Sequence, residues 1–534
     1  MILLWMTNKR GLVSIHPEGE RGKADVEPCG IVGSLDTFAG KVQVRWVPEA
    51  AVSSLGLLPY FIEFLKVSGR FDSWVADCPL EYTSGNAPQK RDVLGTILLS
   101  VLAGHWRYAH ISAIRGDGVN PGLLGMTKVV SEDSVRRAMK ALDGERSGPW
   151  LKQHLRASYE PLLEEPWALD VDTTVKVLYG HQEDARVGYN PTKPGRPSHA
   201  IHSYFIANVR MVVDVEVQAG NQTASSFAQP ELWTLLDDLK QSGRTPSFVR
   251  GDCGWGTDRA MLGAEQRQVP YLFKLKQTAN VQKLIARLFG KDEWVDAGQR
   301  WQGLDTELQL SGWNRKRRVV VLRRALPELD EAEKSSKPEA ARHKRKVSRQ
   351  MTLDLPEAIY GGVSYEYSVL VSSLGDEVLT LAQHYRDRGD AENNFDELKN
   401  QWGWAGFTTQ DSRRCEVMAR ITALIYNWWT IFMRLGIPDK HAEAITSRPL
   451  AMNGIARRTT HANQTTIDIT STHAKASIIG VMLINVSTFL QRIARSAEQY
   501  TQPTRWSLIL SAAFRFFLNG KILADTSRIA HTTG

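Results

Sequence analysis

Cysteine is scarce in this chain. There are four among 534 residues, Cys29, Cys78, Cys253 and Cys415, far apart and with no CxxC pair. That spacing excludes a disulfide framework and a structural zinc site, and points to a reducing compartment. Long apolar runs are lacking too. The longest, Val93–Gly104 and Ser477–Leu490, fall short of the ~18–20 residues that cross a bilayer and read as buried helices. The opening MILLWMTNKR has no charged region ahead of its short apolar stretch, so no signal peptide is read there. No internal repeat is visible. With 42% hydrophobic and 23% charged residues, collagen-like, coiled-coil and disordered classes are excluded. At ~150 residues per domain the length suits about three domains, each able to bury a core.

The charge is uneven. The whole chain carries a formal +8, and the window Arg315–Arg349 alone holds thirteen Lys/Arg against five Asp/Glu, also +8. It includes Arg315-Lys316-Arg317-Arg318 and His343-Lys344-Arg345-Lys346. Such clusters suit a phosphate backbone, where each neutralised phosphate releases counterions. A solvated charged face is the plainer alternative, so the functional reading needs a second, independent signal.

Patterning gives an order of elements. Residues 1–50 form an extension whose role the pattern does not reveal. Residues 51–160 read as helical with basic faces, a DNA-end-binding domain; Ser131 followed by Glu132 and Asp133 marks a helix start. From Trp167 the period changes to two, with Leu169, Val171, Thr173, Val175 and Val177 alternating with Asp170, Asp172, Thr174 and Lys176. Further strands are expected at 203–207, 211–217, 247–250 and 271–275, with a helix at 230–242. Residues 161–284 are thus the first part of an α/β core and 376–438 its second part. A basic, β-rich insertion, 285–375, carrying Trp294, Trp301 and Trp313, separates them. Residues 439–534 read as a helical C-terminal region. The pattern fits a sheet of about five strands with packed helices.

Acids stand at three places where a sheet and a helix could converge. Asp170 and Asp172 share one face of the first strand, Asp252 closes a later one, and Glu392 lies in YRDRGDAENNFDELK, 385–399. On one continuous helix Tyr385, Arg388, Glu392 and Lys399 would fall at roughly 0°, 300°, 340° and 320°, a single polar stripe. Alone, Arg388–Glu392 is an ordinary i,i+4 surface pair and each aspartate an ordinary loop or turn acid. Together, three carboxylates at a sheet edge suit Mg²⁺ or Mn²⁺, and a pair of such ions ~4 Å apart suits in-line displacement at phosphorus.

These residues resemble the DDE transposases of bacterial insertion sequences, in the insertion-sequence-4 superfamily, closest to insertion-sequence family 1380. The superfamily signature Y-x2-R-x3-E-x6-K is matched at every spacing by Tyr385, Arg388, Glu392 and Lys399. Leu169-Asp170-Val171-Asp172-Thr173-Thr174, His181-Gln182-Glu183 and Gly188-Tyr189-Asn190-Pro191 are similar to that branch too, and the likeness runs from about Leu94 to Leu435. It implies an RNase H-like mixed sheet core interrupted by a mainly β insertion, with α-helical N- and C-terminal regions. It implies Asp172, Asp252 and Glu392 as the catalytic, metal-binding triad for Mg²⁺ (or Mn²⁺), as two ions. Asp172 is preferred to Asp170 because the family's acid precedes a Thr; Asp396 is the alternative third acid. Tyr385, Arg388 and Lys399 would grip phosphates, with Lys193, Arg196, Arg315, Lys316, Arg317 and Arg318 as further DNA contacts. Trp294, Trp301 and Trp313 are candidates, by position only, for stabilising a flipped base.

The function expected is cut-and-paste transposition: binding of terminal inverted repeats, cleavage, and joining of 3′-hydroxyls to target DNA. Synapsis implies a homodimer on double-stranded DNA, in the bacterial cytoplasm at the nucleoid, with no membrane partner. Two alternatives stay open: a DNA-binding regulator or inactive remnant, and a metal-dependent nuclease without strand transfer.

Overall fold

The computed structural model describes residues 6–8, 11–13, 32–47, 49–142, 144–190, 193–222, 229–326, 364–404, 406–496 and 500–523. About two thirds of the basic window, His343–Lys346 included, lies outside them. The chain divides into Met1–Ala51 and Val52–Gly534. In the first unit, Val32–Thr37 and Gly40–Arg45 pair as an antiparallel hairpin.

The second unit is built on one ten-stranded sheet. Its centre is β1 (Ala168–Val177), β2 (Pro197–Ile206), β3 (Met211–Ala219), β4 (Phe248–Gly251) and β5 (Tyr271–Lys274). β2 runs antiparallel between β1 and β3, while β4 lies parallel to both β1 and β5. Period-two alternation separates the two faces. Leu169, Val171, Val249, Tyr271 and Phe273 enter the large core, while Ala168, Phe248 and Leu272 enter a smaller one on the other face. The four predicted strands after β1 are all present.

The described residues of the insertion are strand-rich, but their strands do not form a sheet of their own. β6 (Trp301–Leu308), β7 (Arg317–Ala325) and β8 (Tyr365–Ser372) continue the same sheet, β8 pairing antiparallel with β5. β5 would otherwise leave an open row of backbone donors and acceptors, which β8 satisfies.

Helices cover both faces. On the face of the smaller core lies α1 (Val378–Arg386), which packs Val378, Leu381 and Ala382 into it. The chain then turns through Asp387 and Arg388 before α2 (Gly389–Asn400). The expected single helix across 385–399 is therefore two, broken at Asp387 and Arg388. On the opposite face α3 (Ser412–Gly436) is buried almost all round, as a central helix must be when apolar on every side. Asn427 clamps it to β3, accepting from Val212 N at 2.9 Å and donating to Val212 O at 2.8 Å. Helices of the N-terminal region join this core through Trp74, stacked on Trp150 and edge-on to Trp428. Ser131 caps Glu132–Ala141, accepting from Ser134 N, as its position predicted.

The C-terminal region departs from the helical expectation at its Thr/Asn-rich stretch. Ile455–His461 and Gln464–Thr470 form a hairpin that also pairs with Val52–Ser53. Thr and Ile favour the pleated surface, and Ala462 and Asn463 turn with φ of 48° and 62°, the positive values a tight hairpin needs. Helix Ala476–Arg495 was expected to be buried, yet only one side is. Ile479, Leu483 and Val486 face the core, while Ile478, Val481 and Ile484 are exposed. By length and composition alone this helix could cross a membrane.

One buried group ties sheet stability to pH. Glu216 on β3 accepts hydrogen bonds from Tyr204 Oη and, at 3.2 Å, from Gln218 Nε2. Burial nonetheless pushes its carboxyl up to about 7, above the unfolded value of 4.5. A raised folded value means that the native state holds the extra proton, so this stability is full below the unfolded pKa and is lost as pH rises through about 7. Urea unfolding of the parent is expected to show a loss of up to about 3 kcal/mol over that window. Glu216→Gln should flatten it; an equal slope in the variant would refute the assignment.

Candidate active site

The register of β1 and β4 sets the first two acids side by side. Arg250 pairs with Asp170 and Gly251 with Val171, so the next step places Asp252 beside Asp172, one strand spacing of ~5 Å away. All four polar residues Asp170, Asp172, Arg250 and Asp252 lie on the α1 face, since each pair is two apart on its strand.

Asp170 and Asp172, equivalent by alternation, differ completely in surroundings. Asp170 is buried and held in a two-pronged ion pair with Arg250, at 2.5 and 2.7 Å. Arg250 also donates to the His384 carbonyl at the end of α1. Asp172 keeps one oxygen on the Thr173 amide at 2.8 Å and faces Arg388 Nη2 at 3.4 Å.

Arg388 is the hub. It sits in the turn between α1 and α2 with its side chain 5% exposed, and Nη1 reaches Glu392 Oε1 at 2.7 Å. One guanidinium thus bridges the β1 acid and the α2 acid. Burial pushes Asp172 up to about 7, and Arg388 pulls it down less than burial and the repulsion of Asp252 and Glu392 push it up. Burial works against the charge on Arg388, but Asp172, Tyr385, Asp252 and Glu392 outweigh it and hold the guanidinium above its ordinary value. Tyr385 is raised by burial, with Arg388, Asp252 and Glu392 all near enough to act on it. Asp396 instead accepts from Asn400 at 2.7 Å on the surface.

The donor set is three carboxylates, hard oxygens of the kind divalent cations take. The Arg388 guanidinium already lying between two of them marks this as ground where positive charge is held. Among the described residues no three His, Cys, Asp or Glu stand close enough to share one ion as they are. Arg388 occupies the space between Asp172 and Glu392, and Glu392, 68% exposed, has room to close in. In chemistry the residues fit a divalent cation.

The other residues singled out in the sequence fall into different places. Lys399 is at the far end of α2, seven residues from Glu392, and lines a separate cleft. Lys193 and Arg196 lie over the Tyr179 ring at 5.0 and 5.4 Å. Arg317 is buried between Asp258 at 2.7 Å and Glu265 at 2.8 Å, and Arg315 also reaches Glu265, at 3.0 Å. Arg318 holds Asp305 at 2.5 Å and the carbonyls of Leu374 and Asp376. Lys316 is exposed. Most of this run's charge is therefore met by the protein's own carboxylates. Trp294 and Trp301 lie under Arg323 and Arg324, at 3.9 and 4.9 Å, and Trp313 is buried beside Arg317.

Two further residues join the site unpredicted. Lys274 ends β5 just as Asp252 follows β4, and burial lowers its pKa while Cys253, Glu392 and Asp252 pull it back. Cys253 is itself raised, first by burial and then by Asp252. The signal available was positional, because neighbouring parallel strands bring their C-terminal ends to one edge.

The family model described as "Transposase DDE domain" matches residues 164–428, the stretch that holds all three acids. No curated protein matches the chain. Among solved structures, the chain is similar to the cryo-EM structure of the piggyBac transposase synaptic complex with hairpin DNA. Identity is 11%, coverage 86% of each chain, and the TM-score 0.34, too distant a likeness to carry an argument. Residues 164–428 therefore match the DDE domain of transposases, enzymes that act on DNA.

Proposed function

We propose that this is the transposase of a bacterial insertion sequence, of the insertion-sequence-4 superfamily and close to family 1380. It binds terminal inverted repeats as a homodimer and catalyses cleavage and strand transfer. What supports the reading is that Arg388 lies 3.4 Å from Asp172 and 2.7 Å from Glu392, with Asp252 near enough to act on its charge, all within the matched domain. The central strand arrangement, three antiparallel strands continued by two parallel ones, supports an RNase H-like core.

Asp172, Asp252 and Glu392 would hold Mg²⁺ or Mn²⁺, as two ions. Bound there, the metal supplies charge to offset that developing on oxygen at phosphorus. The chain's own residues do the positioning. The Asp170–Arg250 pair fixes β1 against β4 and so the spacing of the two aspartates. Arg388 offers a planar fork to a phosphate once its carboxylates are otherwise neutralised. Tyr385, half-buried beside the same group, limits water at that edge.

The test uses the full chain with end-labelled inverted-repeat duplex in Mg²⁺ or in EDTA. Cleavage and a joined product are expected in Mg²⁺, and neither in EDTA. Binding without cleavage would replace this reading with a DNA-binding regulator, and cleavage without joined product with a nuclease.

A further inference from the structure

A cleft of about 550 Å³ opens where the end of β1 meets residues 106–109 and the far end of α2. Its charge is one-sided. Arg107, Arg136 and Lys399 line it with no Asp or Glu among the lining residues. Among the described residues none of these three cations has a carboxylate partner. Its walls also carry two exposed rings: Trp106 is 50% exposed and Tyr179 67%.

These rings are held, not frayed. Phe407 N donates to the Trp106 carbonyl at 2.5 Å, and a Cβ at Gly406 would stand 2.1 Å from that same oxygen. The backbone of Trp106 is thus pinned while its indole stays open. Tyr179 is fixed by Lys193, whose Nζ donates to its hydroxyl at 2.5 Å, and by Arg196 over the ring. A third ring, Tyr108, is 3% exposed and lines the cleft with its hydroxyl buried and without a partner.

Cations without a carboxylate partner call for an anion, even with Arg136 lying over the Tyr108 ring at 5.3 Å, and flat exposed rings call for a flat partner. Duplex DNA satisfies the first need but hides its base faces in the stack; an unpaired strand offers both. The cleft is also within reach of the carboxylates. Val177 is five residues beyond Asp172 on β1, ~17 Å, and Lys399 is seven beyond Glu392 on α2, ~10 Å. At ~3.4 Å per nucleotide step that is about three to five steps.

We propose that this cleft binds an unpaired segment of DNA strand. Its bases would stack on Trp106 and Tyr179, with its phosphates held by Arg107, Arg136 and Lys399. The inference rests on the DNA-cutting reading and adds to it the form of DNA engaged beside the acids.

The experiment measures binding of the full chain, without metal, to a labelled oligothymidylate of about ten nucleotides and to a duplex of equal length. Trp106→Ala and Tyr179→Ala are each expected to weaken single-strand binding roughly 5- to 150-fold, the loss of one stacked base, with duplex binding at the parent level. Arg107→Ala and Arg136→Ala should each lower the slope of log affinity against log salt by ~0.7. Tyr179 is mostly exposed, so its removal leaves the core intact. Single-strand affinity unchanged in both aromatic variants, or equal loss for duplex, overturns the proposal. Asp252→Asn separates the two readings, since it should bind the oligothymidylate like the parent whether or not the acids cut DNA.

Discussion

Asp172→Asn, Asp252→Asn and Glu392→Gln are each expected to lower Mg²⁺-dependent DNA cleavage by roughly a thousandfold or more, about 4 kcal/mol of barrier. The amides keep the shape and remove the charge. The two carboxylates that remain in each variant cannot make up for the third, since the acids act on one shared group of cations. Calorimetric titration with Mn²⁺ should show weaker binding in all three, a readout that does not depend on turnover. DNA binding should persist, because Lys399 and the cleft cations lie away from the altered residues. The fold should survive as well. Burial works against the charge on Asp172, so the neutral amide of the same shape costs little there. Glu392 is 68% exposed and contributes little to packing. Parent-level cleavage in any one variant would remove that residue from the triad.

The second large effect concerns stability. Arg250→Met alone is expected to cost about 3–5 kcal/mol in urea unfolding, because it strands the Asp170 carboxylate in the protein interior. Asp170→Leu alone should cost a similar amount by stranding the guanidinium. The double substitution should recover most of the loss, since a well-packed apolar pair can replace a buried ion pair at little cost. Side-chain exposures of 3% for Arg250 and 1% for Asp170 show how fully this pair is enclosed. Losses under about 1 kcal/mol in both single variants would show that it is solvated after all. The consequence for function is geometric. This pair stands two residues before Asp172 and Asp252 on their strands, so loosening it should also reduce cleavage in proteins that remain folded.

Much of this site was legible in the residues. Alternation marked β1 and its two aspartates, and the short apolar runs before Asp252 and at Tyr271 marked β4 and β5. The 3-4-7 spacing of Tyr385, Arg388, Glu392 and Lys399 carried the resemblance. Alternation could not separate Asp170 from Asp172, because it reports only the face a side chain takes. What separates them is Arg250, eighty residues away, brought opposite Asp170 by strand register. Helical projection placed Arg388 and Glu392 correctly as partners, yet it assumed one helix where the chain turns before Gly389. A basic run showed its charge but not where that charge goes; the acids that meet Arg317 come from the helix Asp258–Arg267, some fifty residues earlier.

Local sequence determined the strands, the helix starts, and the identity and spacing of the acids, because backbone preference and side-chain period act over a few residues. Tertiary structure alone decided which acid is free and which is locked. It also decided that the insertion extends the sheet, and that Trp106, Tyr179 and Lys399 share a cleft. Those outcomes depend on burial and on pairing between distant segments. Desolvation and charge compensation are properties of the neighbours a residue acquires on folding, and the order of residues along the chain does not contain them.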